Sequence, residues 1–191
     1  MGRGMPLERR RVHALVSAET ILGVSAGNPS VATDRLLLRP PRVADFDAYF
    51  ALLSDPGAFL YSERSGLTRE EAWSRLLRQI GHWATYGYGL FAVEERATGA
   101  LVGEVGLGDF HRGFGRRFDA APEASWTILK AVQGQGYATE AARAAHGWID
   151  RRFGSRLTVC IVHAENAPSL AVARKLGYRA VRTRRYRGYR A

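Results

Sequence analysis

The sequence predicts a mixed α/β fold, and three observations predict it. Strand-like and helix-like periodicities alternate from residue 35 to the C-terminus. Four strand-like runs precede a helix–strand–helix–strand succession. Glycine or proline punctuates several of the junctions between them. The length agrees, since 191 residues suit one domain with a sizeable core, or one domain plus a tail.

The elements can be justified in order. Arg35–Arg39 (RLLLR) is a short apolar strand. Asp45 to Leu53 has helical spacing, with Phe46, Tyr49, Phe50 and Leu53 on one face, and Asp55-Pro56-Gly57 closes it as a turn. Thr68 with Glu71 three residues on is a capping box. The helix it opens aligns Ala72, Leu76, Ile80 and Trp83 and ends at Gly87–Gly89. Leu90–Glu94 and Leu101–Leu107 are strands around the turn Thr98-Gly99. Residues 108–120 form a glycine-rich, basic, aromatic loop. The strand from Glu123 to Leu129 puts Ala124, Trp126 and Ile128 on one face. A helix over Tyr137–Phe153, a buried strand over Leu157–Val162 and a helix over Pro168–Leu176 follow, the last stopped by Gly177. Tyr178 opens a final strand that ends early.

Composition excludes several classes. Hydrophobic residues at 46% and charged residues at 24% rule out wholesale disorder. No apolar run nears the ~20 residues of a membrane helix. One cysteine, Cys160, excludes a disulfide framework and a paired-cysteine zinc site; within its apolar run it reads as a buried structural thiol. The five histidines, His13, His82, His111, His146 and His163, lack metal-ligand spacing. The net charge of +10 is concentrated at the ends: residues 1–11 hold +3, residues 179–191 hold +6, and residues 12–178 only +1. Such ends attract phosphate or acidic surfaces in a salt-dependent way, but the folded part carries no nucleic-acid signature. Residues 1–31 read as a leader or weakly ordered extension. Glu19 and Thr20 interrupt any signal-peptide core, and Pro6 breaks the myristoylation pattern.

The informative segment is Gln133-Gly134-Gln135-Gly136-Tyr137-Ala138-Thr139, between a strand and a helix. Two glycines permit close backbone approach, and the helix start aims unpaired N–H groups and a dipole at one spot. This is an anion site suited to a pyrophosphate; the bland alternative is a tight strand-to-helix turn. The loop lacks the Gly-Lys-Ser/Thr of a triphosphate-binding loop and the placement of a dinucleotide fingerprint. A second constellation, Glu165-Asn166-Ala167-Pro168-Ser169, opens the next helix, which ends Arg174-Lys175-Leu176-Gly177-Tyr178.

Together these segments resemble the GNAT family of acyl-CoA N-acyltransferases. Gln133, Gly136 and Ala138 match its Q/R-x-x-G-x-G/A loop. Asn166, Ser169 and Lys175–Tyr178 match the N-x-x-S and K-L-G-F/Y signatures of the Rim-type branch, which acetylates ribosomal-protein N-termini. Arg35–Pro40 with Asp45, and Gly103–Leu107 (GEVGL), are similar to the same branch. The resemblance covers roughly residues 33–186.

The resemblance implies a central mixed, largely antiparallel sheet, splayed at its middle, with helices on both faces. It implies acetyl-CoA as co-substrate and no metal. Ile128, Leu129 and Lys130, on a strand expected to carry a bulge, would pair with the pantetheine arm. The N–H groups of Gly134, Gln135, Gly136, Tyr137, Ala138 and Thr139, behind Gln133, would hold the pyrophosphate. Asn166 would bond the arm, and Ser169 would lie near the thioester sulfur. Glu123 matches the usual base and Glu104 is its rival; a buried structural carboxylate is the other reading. Ser169 matches the proposed acid, or is a helix-start hydroxyl bonded to backbone. Tyr178 reads as core. Ser125 stands where the family usually has glycine, and the chain stops where relatives add one more strand. Either that strand is missing or Tyr186–Ala191 is a short substitute; a missing strand would expose a sheet edge for a partner or residues 1–31 to cover, and a homodimer is one such arrangement.

The function expected is cytoplasmic acetyl transfer to an amine, either a protein N-terminus or a small amine. The basic loop His111–Arg117 beside the acceptor entrance would favour an acidic or phosphate-bearing acceptor. A non-catalytic acyl-CoA-binding module, and an RNA-associated protein using its basic ends, are the alternatives from other classes.

Overall fold

The computed structural model describes residues 29–58, 66–181, 183, 185–186 and 189–190. Most of the expected leader, residues 1–28, lies outside the described residues, but its last residue belongs to a strand. β1 (Val31–Ala32) pairs with β2 (Leu36–Arg39). β3 (Leu90–Glu95), β4 (Leu101–Gly108), β5 (Glu123–Ile128) and β6 (Val159–Cys160) complete a six-stranded sheet in chain order. Every pairing is antiparallel except β5–β6.

The helices are α1 (Phe46–Ser54), α2 (Arg69–Tyr86), α3 (Arg116–Asp119), α4 (Tyr137–Phe153) and α5 (Ala167–Lys175). The capping box forms as expected. The Thr68 hydroxyl accepts from the Glu71 N–H, and Gly87 ends α2 in the left-handed conformation. The short α3, inside the glycine-rich loop, is a turn that sequence periodicity is too short to register.

Strand alternation divides the helices between the faces. Val105 and Leu107 on β4, and Ala124 and Ile128 on β5, pack toward α4, whose Ala141, Ala142 and Ala145 are fully buried. Glu104 therefore points the other way, and it meets Tyr49 of α1 and Arg75 of α2. The second cluster, Tyr49, Leu53, Leu67, Ala72 and Leu76, joins α1 to α2 on that face.

Three expectations need correction. The irregularity expected on β5 is not there: β4–β5 register runs unbroken from Gly103–Ile128 to Gly108–Glu123. The shift lies instead between β3 and β4, where Val93 faces Gly103 and Glu94 faces Leu101. The extra residue, Val102, is buried in the α4-side core, so the insertion serves packing. The strand over Leu157–Val162 shrinks to two half-buried residues, because apolar content does not guarantee a partner strand on both sides. Beyond α5 no described residue rejoins the sheet as a final strand. β7 (Arg185–Tyr186) and β8 (Tyr189–Arg190) pair with each other as a separate hairpin.

Candidate active site

The site is built on a break in the sheet. β6 runs parallel to β5 and pairs only at Glu123–Val159 and Ala124–Cys160 among the described residues. From Ser125 to Ile128 β5 has no pairing with β6 among the described residues, the splay that the resemblance implied. Exposed strand edges accept an added extended chain through main-chain hydrogen bonds.

At the C-terminal end of β5 the chain makes a 3-10 turn over Lys130–Val132 and enters the glycine loop. Gln133 closes the loop from inside, its side-chain amide donating to the Ile128 carbonyl at 2.9 Å. Gly134 and Gly136 have φ of +82° and +85°. A Cβ on Gly134 would meet nothing within 4 Å, and one on Gly136 only the Arg35 guanidinium at 3.6 Å. The glycines are required by backbone conformation, and their outer side opens onto space. Glu140 makes the first helical hydrogen bond of α4, onto Gly136 O at 3.1 Å. The N–H groups of Tyr137, Ala138 and Thr139 therefore precede any intrahelical partner. Orphan donors at the positive end of a helix dipole, beside an open backbone, fit a pyrophosphate.

Asn166 and Ser169 lie across the opening. Asn166 caps α5, its Oδ1 accepting the Ser169 N–H at 3.0 Å. Ser169 does not bond the backbone through its hydroxyl. Its Oγ accepts the Trp126 indole N–H at 2.8 Å, a bond that spans from α5 to β5. One lone pair of the hydroxyl is committed and its proton remains available to donate.

The two carboxylate candidates are both buried and both paired. Glu123 takes a two-pronged ion pair from Arg112, Nε to Oε2 at 2.8 Å and Nη2 to Oε1 at 2.7 Å. Arg112 comes from the loop that sequence marked as basic, and its guanidinium lies 4.7 Å over the Phe110 ring. Glu104, 2% exposed, accepts the Tyr49 hydroxyl at 2.7 Å and an Arg75 N–H. Burial and then Glu104 push the Tyr49 phenol above its ordinary value. Burial works to lower Arg75, but Glu104 and Tyr49 outweigh it and hold that guanidinium above its ordinary range. By register, Ser125 faces Gly106, between the Glu104–Thr127 and Glu123–Gly108 pairs.

Other singled-out residues have structural surroundings. The Tyr178 hydroxyl bonds His146 Nε2 and Thr158 Oγ1, each at 2.8 Å, and burial pushes it up to about 12; the ring is half-buried and packs against the core cluster of Leu107, Ala124 and Ile149. Cys160 is half-buried on β6, and burial, with Glu123 nearby, pushes its thiol up to about 12. Among the described residues no group of three or more His, Cys, Asp or Glu could hold a metal ion. No helix among them is long and apolar enough to cross a membrane. Sequence reasoning missed Arg112, Arg75, Tyr49 and Trp126 as neighbours of the site. Arg112 had a signal, since it lies in the loop placed beside the acceptor entrance.

Comparison with known proteins agrees with this fold. A family profile described as acetyltransferase (GNAT) domain matches residues 35–179. The chain belongs to the GNAT acetyltransferase family and is an N-acetyltransferase. A GnaT-family acetyltransferase from Bordetella pertussis is 34% identical, superimposes with a TM-score of 0.77, and is matched over 85% of this chain and 95% of its own. The uncharacterized N-acetyltransferase YnaD of Bacillus subtilis (strain 168) is 28% identical over 149 residues, 78% of this chain and 82% of its own. The fold is shared with the RimL ribosomal L7/L12 alpha-N-protein acetyltransferase solved in complex with coenzyme A. That structure is 18% identical, has a TM-score of 0.68, and is matched over 85% of this chain and 97% of its own. Enzymes of this family use acetyl-CoA as co-substrate.

Proposed function

We propose that the protein moves an acetyl group from acetyl-CoA to a primary amine, a protein N-terminus or a small amine, by direct attack in a ternary complex. The observation that carries this reading is the divergence of β5 and β6 between the glycine loop and Ser169. One cleft then has an anion cradle at one end and a hydroxyl donor across it.

Bound acetyl-CoA supplies an activated acetyl group and a thiolate leaving group. The residues of this chain do the rest. The N–H groups of Gly134 to Thr139 hold the pyrophosphate, and the end of β5 receives the pantetheine arm beside Ile128, Leu129 and Lys130, where the Ile128 carbonyl and the Leu129 and Lys130 N–H groups are already bonded to Gln133, Val102 and Asp55. Asn166 has its Oδ1 committed to capping α5, which leaves its Nδ2 as the group that bonds the arm. A backbone N–H of the β5 edge stabilises the developing oxyanion, and Ser169 donates its proton as a hydrogen bond to the departing sulfur.

The acceptor amine is protonated at neutral pH, and its proton must be taken before it attacks. Glu123 is the base. Its arginine partner belongs to a loop containing His111 at φ +46°, Gly113 and Gly115, not to a packed helix. Glu104 is a strut: protonating it would strand Arg75 against a neutral partner in a buried site.

An acceptor-library assay reading free thiol from acetyl-CoA tests the function. Amine-dependent thiol release supports it. Tight acetyl-CoA binding with no turnover on any amine would move the assignment to a non-catalytic acyl-CoA-binding module.

A further inference from the structure

We infer that Arg35 is a positioning residue for the pyrophosphate of acetyl-CoA, acting through the glycine loop. The inference rests on the proposed cofactor reading of that loop. Arg35 is remote in sequence, immediately before β2, and belongs to the RLLLRP motif that the functional reading leaves unused. Its Nη1 donates to the carbonyl of Gln135, in the middle of the loop, at 2.9 Å. Its Nε and Nη2 both reach Glu140 Oε2, at 2.8 Å and 2.5 Å. The guanidinium stacks 4.6 Å over the Tyr137 ring. Glu140 is itself held, its Oε1 accepting the Thr33 hydroxyl at 2.6 Å and the Arg35 N–H at 3.3 Å.

The consequence follows from peptide geometry. In a trans peptide the C=O and the N–H of the same plane point in opposite directions. Arg35 holds the Gln135 carbonyl, so the Gly136 N–H of that plane is turned away from Arg35. Released, the Gln135–Gly136 plane would be free to flip between two glycine φ values. A flip would present a carbonyl oxygen, a partial negative charge, to the phosphate. Arg35 thus keeps the cradle in its anion-accepting state before ligand arrives. Its side chain is 46% exposed at the rim, so it adds a cation beside the site as well as a brace.

The test compares two acetyl donors. S-acetylpantetheine has the arm and the thioester but no pyrophosphate. In Arg35→Gln, KM for acetyl-CoA should rise about tenfold, the cost of one misdirected hydrogen-bond donor, with kcat within twofold. With S-acetylpantetheine, kcat/KM should stay within twofold of the parent. Glu140→Gln, which unties Arg35 from below, should move the acetyl-CoA KM in the same direction by a smaller factor. Arg35→Lys keeps the charge but has no fork to hold Gln135 and Glu140 together. It should recover part of the KM change, and it answers the question if Arg35→Gln does not fold. An equal loss with both donors would overturn the proposal in favour of a purely structural clamp. An unchanged acetyl-CoA KM in Arg35→Gln and Arg35→Lys would overturn it outright. A parent enzyme that does not prefer acetyl-CoA over S-acetylpantetheine would instead sink the pyrophosphate reading of the loop, and that outcome is read separately.

Discussion

Replacing Ser169 with alanine separates a catalytic role from a structural one, because the structure gives the hydroxyl a partner of its own. A thiol of pKa about 8.5 leaves as thiolate at neutral pH without obligatory protonation. A hydrogen bond from Ser169 to the departing sulfur therefore contributes about 1–3 kcal/mol, not the whole barrier. At tenfold per 1.36 kcal/mol, turnover should fall roughly ten- to a hundredfold. The KM for acetyl-CoA should change little, since the bond strengthens only as charge develops on sulfur. The same substitution orphans the Trp126 indole N–H, which Ser169 Oγ accepts at 2.8 Å. Trp126 is half-buried, so that cost is about 1 kcal/mol, a drop in Tm of about 2–4 °C for a chain of this size. Trp126→Phe with Ser169→Ala removes both halves of the bond, so the pair should recover part of the Tm and none of the turnover. Steady-state thiol release and thermal melts on the parent, both single variants and the pair read the two effects apart. If Ser169→Ala keeps turnover within twofold while the melt falls, Ser169 is a strut for Trp126 and the leaving-group assignment is wrong.

Other substitutions test the remaining assignments. Glu123→Gln should keep acetyl-CoA affinity and lower turnover by roughly a hundredfold, most at low pH where the acceptor is protonated; a pH–rate profile measures this. Glu104→Gln should mainly lower stability, by about 3 kcal/mol in denaturant titration, because Arg75 loses its charged partner; if it abolishes turnover and Glu123→Gln does not, Glu104 is the base. Gly136→Val forces a branched side chain into φ +85°, beside the Arg35 guanidinium, and by distorting the loop should weaken acetyl-CoA binding at least tenfold in calorimetry while the fold survives. His82 is held neutral below its ordinary pKa by burial, with its Nδ1 against Tyr88 O and its Nε2 accepting the Asp109 N–H. The unfolded chain takes that proton first, so this contribution to stability is full above pH about 6.5 and is lost as pH falls through the folded value; His82→Gln should flatten the change in denaturation midpoint between pH about 7.5 and 5.5.

How much of this was legible in the sequence depends on the range of the interactions involved. The α2 cap, the Gly87 stop, the extent of α4 and the glycine loop are local, set by residues within about one turn of one another, and they appear as expected. The splay and the Asn166–Ser169 helix start followed from resemblance, through two motifs at a fixed separation. Long-range pairing was not legible. Val102 looks like any strand valine, yet it is the inserted residue of the β3–β4 irregularity, because only the partner strand defines the register. The Leu157–Val162 run is apolar enough for a buried strand, but only Val159 and Cys160 find a partner before β5 turns away.

The contacts that tune the site share one property, and it explains why the candidate residues were easier to name than their states. Arg112 is eleven residues from Glu123, Trp126 is 43 from Ser169, Arg75 is 29 from Glu104, and Arg35 is 100 from Gln135. In each case the motif residue is chemically ordinary, and the distant partner decides what it can do. Clamped by Arg112, Glu123 is a buried ion whose freedom depends on a loop whose Gly113, Phe114 and Gly115 N–H groups are held by Asp119. In the proposed mechanism the same pair gives the acceptor a route into the chemistry. A group that draws Arg112 aside uncovers Glu123, whereas nothing entering the cleft can draw Arg75 from Glu104 without also breaking the Tyr49 bond and the α1–α2 packing behind it. That asymmetry, and not the position of either glutamate in the sequence, is the reason for assigning the base to Glu123.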